Sequence, residues 1–549
     1  MNDETNFSAL DRQFGDFIAR LDASGGAEVR RAAMCASRAR ADGHICISLA
    51  EIAAAEGAPN EKTLRKKLRA SKVIGAPGDF TPLVLDRDDR LYLRRYWEYE
   101  QQLAEAIRGR AQSHPQLAKK KEGDLQEVAA TRAVTNNFTV ITGGPGTGKT
   151  RTVMSILALL KAQPGGEDLR IALAAPTGKA AARLTESIRT IDQTLEAATI
   201  HRRLGYLPGS PYFRHDAENP LSADVVIVDE ASMIDLALMA KLVAAVRPEA
   251  RLILLGDRDQ LASVEAGSVL ADICAAAEAA TPNDPLREVV VALEKNYRFA
   301  PTGGIYRTSS AVNAGDADTA IAALQENAGD EARWQPLPEV AKLADTLREQ
   351  IVRAFQPVLV ARDPIEALAQ LQRFRILCAL RHGPFGVENL NAIAEEILAQ
   401  AGLLTPRHGG FYRGQPLTIA ENNYSLGLFN GDSGIILPDS DDDDALRAYF
   451  LSGEGKLRRF LPSRLPRHET AFAMTVHKSQ GSEFERVLLL LPQNDSPLLT
   501  RELLYTGLTR ARRGVEIWAT EPVLRAAIGR QVVRVSGLRD ALLNSAKAS

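Results

Sequence analysis

Cysteine is scarce in this chain of 549 residues, which contains only Cys35, Cys46, Cys274 and Cys378 and no CxxC pair. Zinc sites and disulfide frameworks need clustered or regularly spaced cysteines. The sequence therefore argues against a zinc-binding or disulfide-stabilised protein, and we interpret the four thiols as reduced core residues.

Long apolar runs are also missing. No stretch of about 18 uncharged apolar residues occurs, which is the length that a membrane-spanning helix needs. The first residues, MNDETNFSALDRQFGDF, carry early acidic side chains and lack the apolar core of a secretory signal. We expect a cytoplasmic protein without a membrane segment.

A surplus of charge of one sign is absent as well. The 67 Lys and Arg residues nearly balance the 69 Asp and Glu residues, which gives a formal net charge of -2. A nucleic-acid partner would therefore need a local groove of Lys and Arg rather than a general basic field. The composition, 45% hydrophobic and 25% charged, is typical of a folded globular protein, and the length favours three or four domains.

The hydrophobic pattern divides the chain into an N-terminal helical domain and two α/β domains. Residues 1–110 are rich in Ala, Arg and Leu at helical spacing. Over 111–335, runs such as FTVITGG, LRIALAAPTG and ADVVIVDEAS alternate with helical segments, which predicts a parallel sheet covered on both faces. The runs FRILCAL, ERVLLLLP and GVEIWAT predict a second such domain over 336–549.

Within the second α/β domain, residues 411–467 are rich in Gly, Asn, Asp and turn signals, and they predict a small β-barrel insertion. The acidic run from Asp441 to Asp444 lacks the spacing of a calcium-binding loop. We therefore interpret it as a solvated hairpin tip rather than a metal site.

The segment GGPGTGKT fits the pattern GxxxxGK[ST] and lies between the strand-like FTVI and the helical TVMSILALLK, which is the context that this motif needs. A Gly-rich turn that binds no nucleotide rarely falls at such a junction. Lys149 can reach the β- and γ-phosphates, and the Thr150 hydroxyl can ligate Mg²⁺. The predicted nucleotide-binding residues are Gly143, Gly144, Pro145, Gly146, Thr147, Gly148, Lys149 and Thr150.

Two carboxylates, Asp229 and Glu230, follow the apolar run VVIV at the sheet edge where the crevice of an open α/β sheet lies. We expect Asp229 to hold Mg²⁺, through water, and Glu230 to orient and deprotonate the attacking water. The alternative is that the pair caps a helix that starts at Ala231 and Ser232. The phosphate loop upstream favours the catalytic interpretation.

Three further side chains are candidates for sensing or stabilising the phosphate. Gln260 follows the run LILLG, and its neutral amide could bind the γ-phosphate and report its loss. Arg298 and Arg510 are candidate arginine fingers, which stabilise transition-state charge when a cleft closes. Either arginine could instead form a surface salt bridge.

Taken in order, eight segments resemble the motifs of superfamily 1 helicases: GGPGTGKT, APTGKAAARL, TIHRRLG, VVIVDEAS, GDRDQLASVEAG, KNYRF, MTVHKSQG and YTGLTRAR. The resemblance implies two RecA-like P-loop domains, with ATP between them and single-stranded nucleic acid across their top. By position, Gln126 resembles the adenine-reading glutamine that precedes the phosphate loop, although lone glutamines are usually exposed.

Within that superfamily the chain resembles the RecD family, the alpha subunits of exodeoxyribonuclease V, over nearly its whole length. The additional segments are GHICISLAEIA, TPLVLDRDDRLYLRRYWEYEQ, LCALRHGPFGVENLN and NNYSLGLFNGDSGII. The family implies 5′-to-3′ movement along DNA and an SH3-like barrel in the second motor domain. It also implies assembly with RecB-like and RecC-like subunits, with the N-terminal domain contacting a partner, in a heterotrimer that acts on double-strand ends in recombinational repair.

Two departures from the family pattern affect no expected ligand. Arg151 follows the phosphate loop where a small residue is common, and Tyr306 and Arg307 stand in a stretch that often has smaller residues.

The resemblance places the DNA contacts on loops at the sheet edges and in the insertion. Hydroxyls and a lysine suit phosphate contacts that ignore base sequence. Each side chain could instead cap its own loop. The candidate residues are Thr177, Lys179, His201, Asn430, Thr475, His477 and Ser479.

Some alternatives stay open at the level of sequence. The segment 205–219 could form a small strand-separating protrusion or a connecting loop. The C-terminal region has no nuclease pattern of paired carboxylates and a lysine, so nuclease activity would belong to a partner. A stand-alone RecD-like helicase usually carries a longer extension than residues 1–110, and a vestigial ATPase would not need the intact Lys149 and Glu230.

Overall fold

The computed structural model describes residues 7–22, 26–54, 59–112, 124–207, 209–327, 330–405, 410–423, 425–451 and 456–544. Over these residues the chain forms two parallel sheets covered by helices, an antiparallel sheet and a small mixed sheet. No described helix has the length and apolar character that crossing a membrane would require.

The helices are α1 (Ala9–Leu21), α2 (Gly26–Ala41), α3 (Leu49–Ala53), α4 (Glu61–Arg69), α5 (Arg94–Gln112), α6 (Leu125–Thr135), α7 (Lys149–Lys161), α8 (Gly178–Ile188), α9 (Ile200–Leu204), α10 (Leu236–Ala245), α11 (Val269–Ala279), α12 (Gly304–Ala314), α13 (Ala317–Glu326), α14 (Leu343–Val360), α15 (Pro364–Leu371), α16 (Val387–Gln400), α17 (Arg501–Thr509), α18 (Glu521–Gly529) and α19 (Leu538–Asn544).

The strands are β1 (Cys46–Ser48), β2 (Ile74–Gly75), β3 (Leu83–Leu85), β4 (Arg90–Leu93), β5 (Phe138–Gly143), β6 (Ile171–Ala175), β7 (Ala197–Thr199), β8 (Val225–Val228), β9 (Arg251–Gly256), β10 (Val290–Leu293), β11 (Ala332–Pro336), β12 (Phe374–Cys378), β13 (Pro416–Ile419), β14 (Ser433–Asp439), β15 (Ala445–Leu451), β16 (Leu457–Phe460), β17 (His468–Thr470), β18 (Ala473–Thr475), β19 (Phe484–Leu490) and β20 (Ala511–Ala519).

The first parallel sheet has the strand order β10-β5-β9-β8-β6-β7. Successive residues of one strand enter different cores: Val225 and Ile227 pack with the core that includes α6 and α7, whereas Val226 and Val228 pack with the core that includes α5, α10 and α11. Burial on both faces explains why the strands are continuous apolar runs. The predicted parallel sheet is confirmed, and with its helices it forms what we call the first unit.

The second parallel sheet has the order β11-β20-β19-β12-β18 and is also covered on both faces. Its strands confirm the second predicted α/β region, but its extent differs from the predicted range of 336–549. Strand β11 pairs with β20, and α12 and α13 pack against α17 and α18, so this second unit begins near residue 304. The difference arises because β11 (ARWQP) is a largely exposed edge strand without an apolar run.

The predicted insertion is a five-stranded antiparallel sheet of order β16-β15-β14-β13-β17. Its strands span residues 416–470, so the sheet both begins and ends slightly later than the predicted range of 411–467. Its small core includes Leu417, Ile436 and Phe450. A turn containing the acidic run joins β14 to β15, so the predicted hairpin tip is confirmed.

The N-terminal region consists mainly of helices, but it also contains a four-stranded sheet of order β1-β4-β3-β2 that the helical prediction did not include. These strands have two to four residues, which is too short to show a period-two pattern. Helix α1 starts at a capping box, in which the Ser8 hydroxyl accepts a hydrogen bond from the Asp11 amide at 3.2 Å.

After α18 the chain returns to the first unit. The Ile45 amide donates to the Val535 carbonyl at 2.8 Å, and Leu538 and Leu542 of α19 are fully buried in the first unit's core. Arg534 donates to the carbonyls of Ser263, Glu265 and Gly267 at 2.6 to 2.8 Å. The C-terminal segment thus connects the second unit, the first unit and the N-terminal region.

Replacing Leu542 by Ala should loosen this connection. Removing a fully buried leucine typically costs about 2–5 kcal/mol, because the cavity that it leaves does not collapse completely. We expect faster amide hydrogen exchange in α19 and α11. Leu543, which is only partly buried, provides the matched control, and Leu543→Ala should have a smaller effect. Unchanged exchange in α19 of Leu542→Ala would contradict this account.

Candidate nucleotide site and DNA track

The predicted phosphate loop connects β5 to the first residue of α7. Gly146 and Gly148 have φ values of 84° and 88°, a region that residues with a Cβ rarely adopt. The Lys149 Nζ donates to the carbonyls of Gly143 and Gly144 at 2.6 and 3.1 Å, which holds the ammonium against the loop. The buried Thr147 hydroxyl donates to the Gly144 carbonyl at 2.8 Å and braces the turn.

Gln126, in the first turn of α6, is buried against this loop rather than exposed. Its Nε2 donates to the Thr147 carbonyl at 2.9 Å, and a Cβ at Gly148 would overlap its amide. The side chain is therefore at the nucleotide loop, as the sequence position predicts. Its contact with adenine stays a prediction.

A cavity of about 300 Å³ lies between the two units at the phosphate loop. It brings together all five predicted catalytic side chains and both predicted Mg²⁺ ligands. Its lining residues are Pro145, Gly146, Gly148, Lys149, Thr150, Arg183, Leu184, Ser187, Asp229, Glu230, Gln260, Tyr297, Arg298, Glu483 and Arg510. The cavity thus has an interdomain position, because Glu483 and Arg510 belong to the second unit.

The acidic pair lies at the end of β8. Glu230 adopts a left-handed backbone conformation, with φ of 54°, which is uncommon for a residue with a Cβ. Its side chain makes no capping hydrogen bond to the following short helix, so the alternative helix-cap interpretation is not supported. Burial, together with the charge of Glu230, raises the pKa of Asp229 to about 6. A cation beside Asp229 would stabilise the ionised carboxylate and lower its pKa again.

Gln260 lies on a loop that binds directly to the second unit. Its Nε2 donates to the Asp257 carboxylate at 2.9 Å, and the Tyr505 hydroxyl donates to the same oxygen at 3.2 Å. The next residue, Leu261, donates its amide to Thr506 Oγ1 at 3.0 Å and accepts from Gln480 Nε2 at 2.8 Å. The proposed γ-phosphate sensor is therefore in contact with α17.

The two predicted arginines are in the cleft and not on the surface. Arg298 Nη2 donates to Glu483 Oε1 at 2.7 Å, across the gap between the units. Arg510 is 3% exposed and donates to the carbonyls of Thr506 and Ser482, both at 3.2 Å. Arg510 is therefore not a surface side chain, and Arg298 forms its ion pair with a residue of the cleft; the role of both as arginine fingers stays a prediction.

Two charged residues that line the cavity were not predicted from the sequence. Arg183 lies one helical turn after Lys179 on α8, a spacing that places both on one face. Glu483 follows the last residue of the motif MTVHKSQG by only two residues, and a charged side chain among small and apolar neighbours was the available signal.

Three of the predicted DNA-contact residues cap their own loops. Thr177 accepts from the Ala180 amide, and Thr475 accepts from the Lys478 amide, both at 3.2 Å. Ser479 is fully buried and donates to the Val476 carbonyl at 2.6 Å. Its hydroxyl has neither exposure nor a free donor, so a contact with DNA, which stays a prediction, would require the loop to move.

The other four candidates lie around the same edges. Burial, with the charges of Arg375 and Arg183, lowers the pKa of the Lys179 ammonium to about 7. His201 packs edge-to-face on the Phe213 ring at 5.6 Å, and burial lowers the pKa of His201 and of His477. Asn430 is exposed in the insertion.

A groove of about 720 Å³ runs between the first unit and the insertion, beside Thr177 and Lys179. Cations line it from both sides, namely Arg202, Lys456 and Arg458. The Phe429 ring packs on the backbone of Gly178, where a Cβ would come within 2.7 Å of the ring. Cations combined with an aromatic ring suit a single-stranded nucleic acid. None of these groove residues was predicted.

The segment 205–219 forms a short hairpin-like protrusion, with an antiparallel bridge between Tyr206 and Phe213. Tyr212 near its tip is 63% exposed. Residue 208 lies outside the described residues. Whether the segment separates strands stays a prediction.

Three family models match parts of the chain. They are the AAA domain over residues 126–266, the UvrD-like helicase C-terminal domain over 470–517, and the N-terminal domain of RecBCD enzyme subunit RecD over 3–92.

Among curated proteins, the chain is 40% identical over 543 residues to the RecBCD enzyme subunit RecD of Mycolicibacterium smegmatis, covering 94% of each chain. It is 34% identical over 520 residues to the subunit of the same name from Haemophilus influenzae, covering 82% of this chain and 79% of that one. It is also 31% identical over 439 residues to the ATP-dependent RecD2 DNA helicase of Deinococcus radiodurans, covering 77% of this chain and 54% of that one.

Affinity for single-stranded DNA should fall as pH rises from 6.5 to 8.5. With its pKa lowered to about 7, Lys179 is charged below that pH and neutral above it. Losing one charged phosphate contact should weaken binding by about three- to tenfold. The pKa values of His201 and His477 are lowered from their usual value, so the loss of charge by either histidine is shifted below this range and not into it.

Lys179→Arg should remove this pH dependence, because arginine stays charged throughout the range. Fluorescence anisotropy with a labelled oligonucleotide would measure it. A pH profile that is the same in both proteins would exclude Lys179 as its source.

Proposed function

Because the chain belongs to the RecD family of RecBCD enzyme subunits, we propose that it is the ATP-driven DNA helicase motor of a RecBCD-type helicase-nuclease. It would move 5′ to 3′ on single-stranded DNA at duplex ends, with RecB-like and RecC-like partners, in the repair of double-strand breaks. On such a substrate it would act in the cytoplasm.

The observation that supports this proposal most directly is the composition of the interdomain cavity. Lys149, Thr150, Asp229 and Glu230 come from the first unit, and Arg510 comes from the second. In this proposal the two units are RecA-like P-loop domains, and the antiparallel insertion is an SH3-like barrel. A vestigial ATPase would not need this complete set of side chains on both walls.

The residues present fit an Mg²⁺ ion, since Thr150 and Asp229 offer hard oxygen donors and the raised pKa of the half-buried Asp229 carboxylate shows that its charge is not fully compensated. When bound, the ion would neutralise phosphate charge. Glu230 would accept the proton of a water whose oxygen attacks the γ-phosphorus, while the bond to the β–γ bridging oxygen breaks. Lys149 would hold the phosphates in line.

Arg298 and Arg510 would approach the γ-phosphate when the cleft closes. Gln260 would then report the loss of the γ-phosphate to α17, through the hydrogen bonds of Leu261 with Thr506 and Gln480. Closure and reopening would move the two DNA grips alternately. One grip is the first unit around Thr177 and Lys179, and the other is the second unit around Thr475 and His477.

The groove between the first unit and the insertion is the candidate path for the strand. Phe429 offers a stacking surface, and Arg202, Lys456 and Arg458 supply cations for the backbone. The exposed Tyr212 on the protrusion would meet the duplex ahead of the groove. A subunit role is favoured over a stand-alone helicase, because similarity to the RecD subunit covers 94% of that chain and similarity to RecD2 covers 54%.

Lys149→Gln should reduce DNA-stimulated ATP hydrolysis by about 100-fold or more, because it removes the charge that stabilises the transferring phosphate. Binding to a single-stranded oligonucleotide should persist. The matched control is Lys161→Gln at the other end of α7, where the lysine pairs with Asp192 away from the loop. Full hydrolysis by Lys149→Gln would refute the proposed ATPase.

Unwinding should require a 5′ single-stranded tail. Duplexes with a 5′ tail or a 3′ tail, but otherwise identical, would be tested with the chain purified from native lysate together with its copurifying proteins. Preference for the 3′ tail would overturn the direction of travel. Recovery of the chain as a lone monodisperse monomer would overturn the proposed complex.

A further inference from the structure

The carboxylate of Glu483 lies in the nucleotide cavity and is shared by arginines from both units. Its Oε1 accepts from Arg298 Nη2 at 2.7 Å and lies 3.0 Å from Arg183 Nη2. Its Oε2 accepts from Arg512 Nε at 2.9 Å. Arg183 and Arg298 belong to the first unit, whereas Glu483 and Arg512 belong to the second.

This carboxylate is held as an anion although it is nearly buried. Its side chain is 9% exposed, and burial alone would raise its pKa. The charges and hydrogen bonds of Arg183 and Arg298 more than compensate, so that the pKa lies well below its usual range. Glu483 is therefore a fixed negative charge between the walls of the cleft.

Arg298 retains further capacity to donate. Within the described ranges, its buried Nη1 reaches no acceptor. A buried guanidinium N–H without an acceptor is costly, and phosphate oxygens are strong acceptors for such a group. Lys149 of the first unit and Arg510 of the second unit line the same cavity, so an incoming phosphate meets several cations there.

The carboxylate and a γ-phosphate present the same chemistry to these arginines: both are anions with several strong acceptor oxygens. Because Arg298 Nη2 donates to Glu483 Oε1, one donor of Arg298 is occupied by a carboxylate of the protein itself. For Arg298 to turn fully toward a phosphate, this bond has to break or lengthen. Glu483 and the γ-phosphate are thus alternatives for the same donors.

We propose that Glu483 is a positioning residue that competes with the γ-phosphate for Arg298 and Arg183, and recovers both arginines when the phosphate leaves. The inference rests on the proposed ATPase function and specifies how the same site is reset. Glu483 would keep the arginines placed in the cleft between turnovers and would favour release of phosphate after hydrolysis. A simple structural brace between the units would do neither.

The test compares binding of two nucleotides to the full chain with Glu483→Gln, which keeps the size of the side chain and removes its charge. The probes are ADP and adenosine 5′-(β,γ-imido)triphosphate, each with Mg²⁺, measured by calorimetry. We expect the triphosphate analogue to bind about five- to tenfold more tightly, the effect of removing one competing charged contact. Affinity for ADP, which lacks the γ-phosphate, should be unchanged.

Turnover provides a second readout, because arginines that are no longer bound by the Glu483 carboxylate should retain the product phosphate. In Glu483→Gln both KM for ATP and kcat should fall, and single-turnover assays with a fluorescent phosphate-binding reporter should show slower phosphate release. Glu483→Asp keeps the charge but withdraws it by one methylene, so we expect a smaller change in the same direction. This variant serves as the test should Glu483→Gln fold poorly.

Glu485→Gln is the matched control. Glu485 lies on β19, two residues after Glu483, but its carboxylate lies 3.9 Å from Arg373 and from Arg513 and does not line the cavity. It should leave both affinities and the release rate unchanged.

Equal weakening of both nucleotides in Glu483→Gln, or an unaltered ratio of the two affinities, would overturn the competition. Wild-type protein that binds neither nucleotide would instead refute the proposed ATPase, so the two failures are distinguishable.

Discussion

Charges of both signs are buried together in the cleft between the two parallel sheets, and the rest of the structure depends on their mutual neutralisation. Burial raises the pKa of Asp229 to about 6, whereas arginines keep Glu483 ionised. A buried charge without a partner is costly, so each has to be compensated by the opposite wall or by a ligand. The two units therefore cannot open or close without exchanging charge partners. A motor driven by a charged nucleotide needs this coupling between movement of the two units and exchange of charge partners.

One loop connects the charged cleft to more distant parts of the structure. Between β9 and α11 the chain passes from Gln260, at the cavity, to Leu261, which is hydrogen-bonded to α17. It then reaches Glu265, where Arg534 holds the backbone and Arg40 pairs with the side chain at 2.6 Å. Over about ten residues, this loop thus contacts the nucleotide site, the second unit, the C-terminal segment and the N-terminal region. Its bonds with Arg534 hold the C-terminal segment against the first unit, on which the C-terminal helix is docked.

Much of the fold could be predicted because its strands are buried on both faces. Continuous apolar runs such as VVIV and RLILLG mark such strands without any tertiary information. Strand β11 was not predicted because an edge strand needs no apolar run. The N-terminal sheet was not predicted because its strands are too short to show a period-two pattern. In the site, the burial of Ser479 could not be predicted, because a hydroxyl in a motif loop looks the same in sequence whether it faces solvent or caps its own turn.

The sequence by itself determined which chemistry the chain carries: the phosphate loop with Lys149 and Thr150, the acidic pair after β8, and the order of the helicase-like motifs. These are local patterns, since each depends on neighbours a few residues apart. Only the tertiary structure decided that Glu483 faces Arg183 and Arg298, that Phe429 packs on Gly178, and that the C-terminal helix joins the first core. Those contacts join residues hundreds of positions apart, and the packing of the two units, which no local pattern encodes, brings them together.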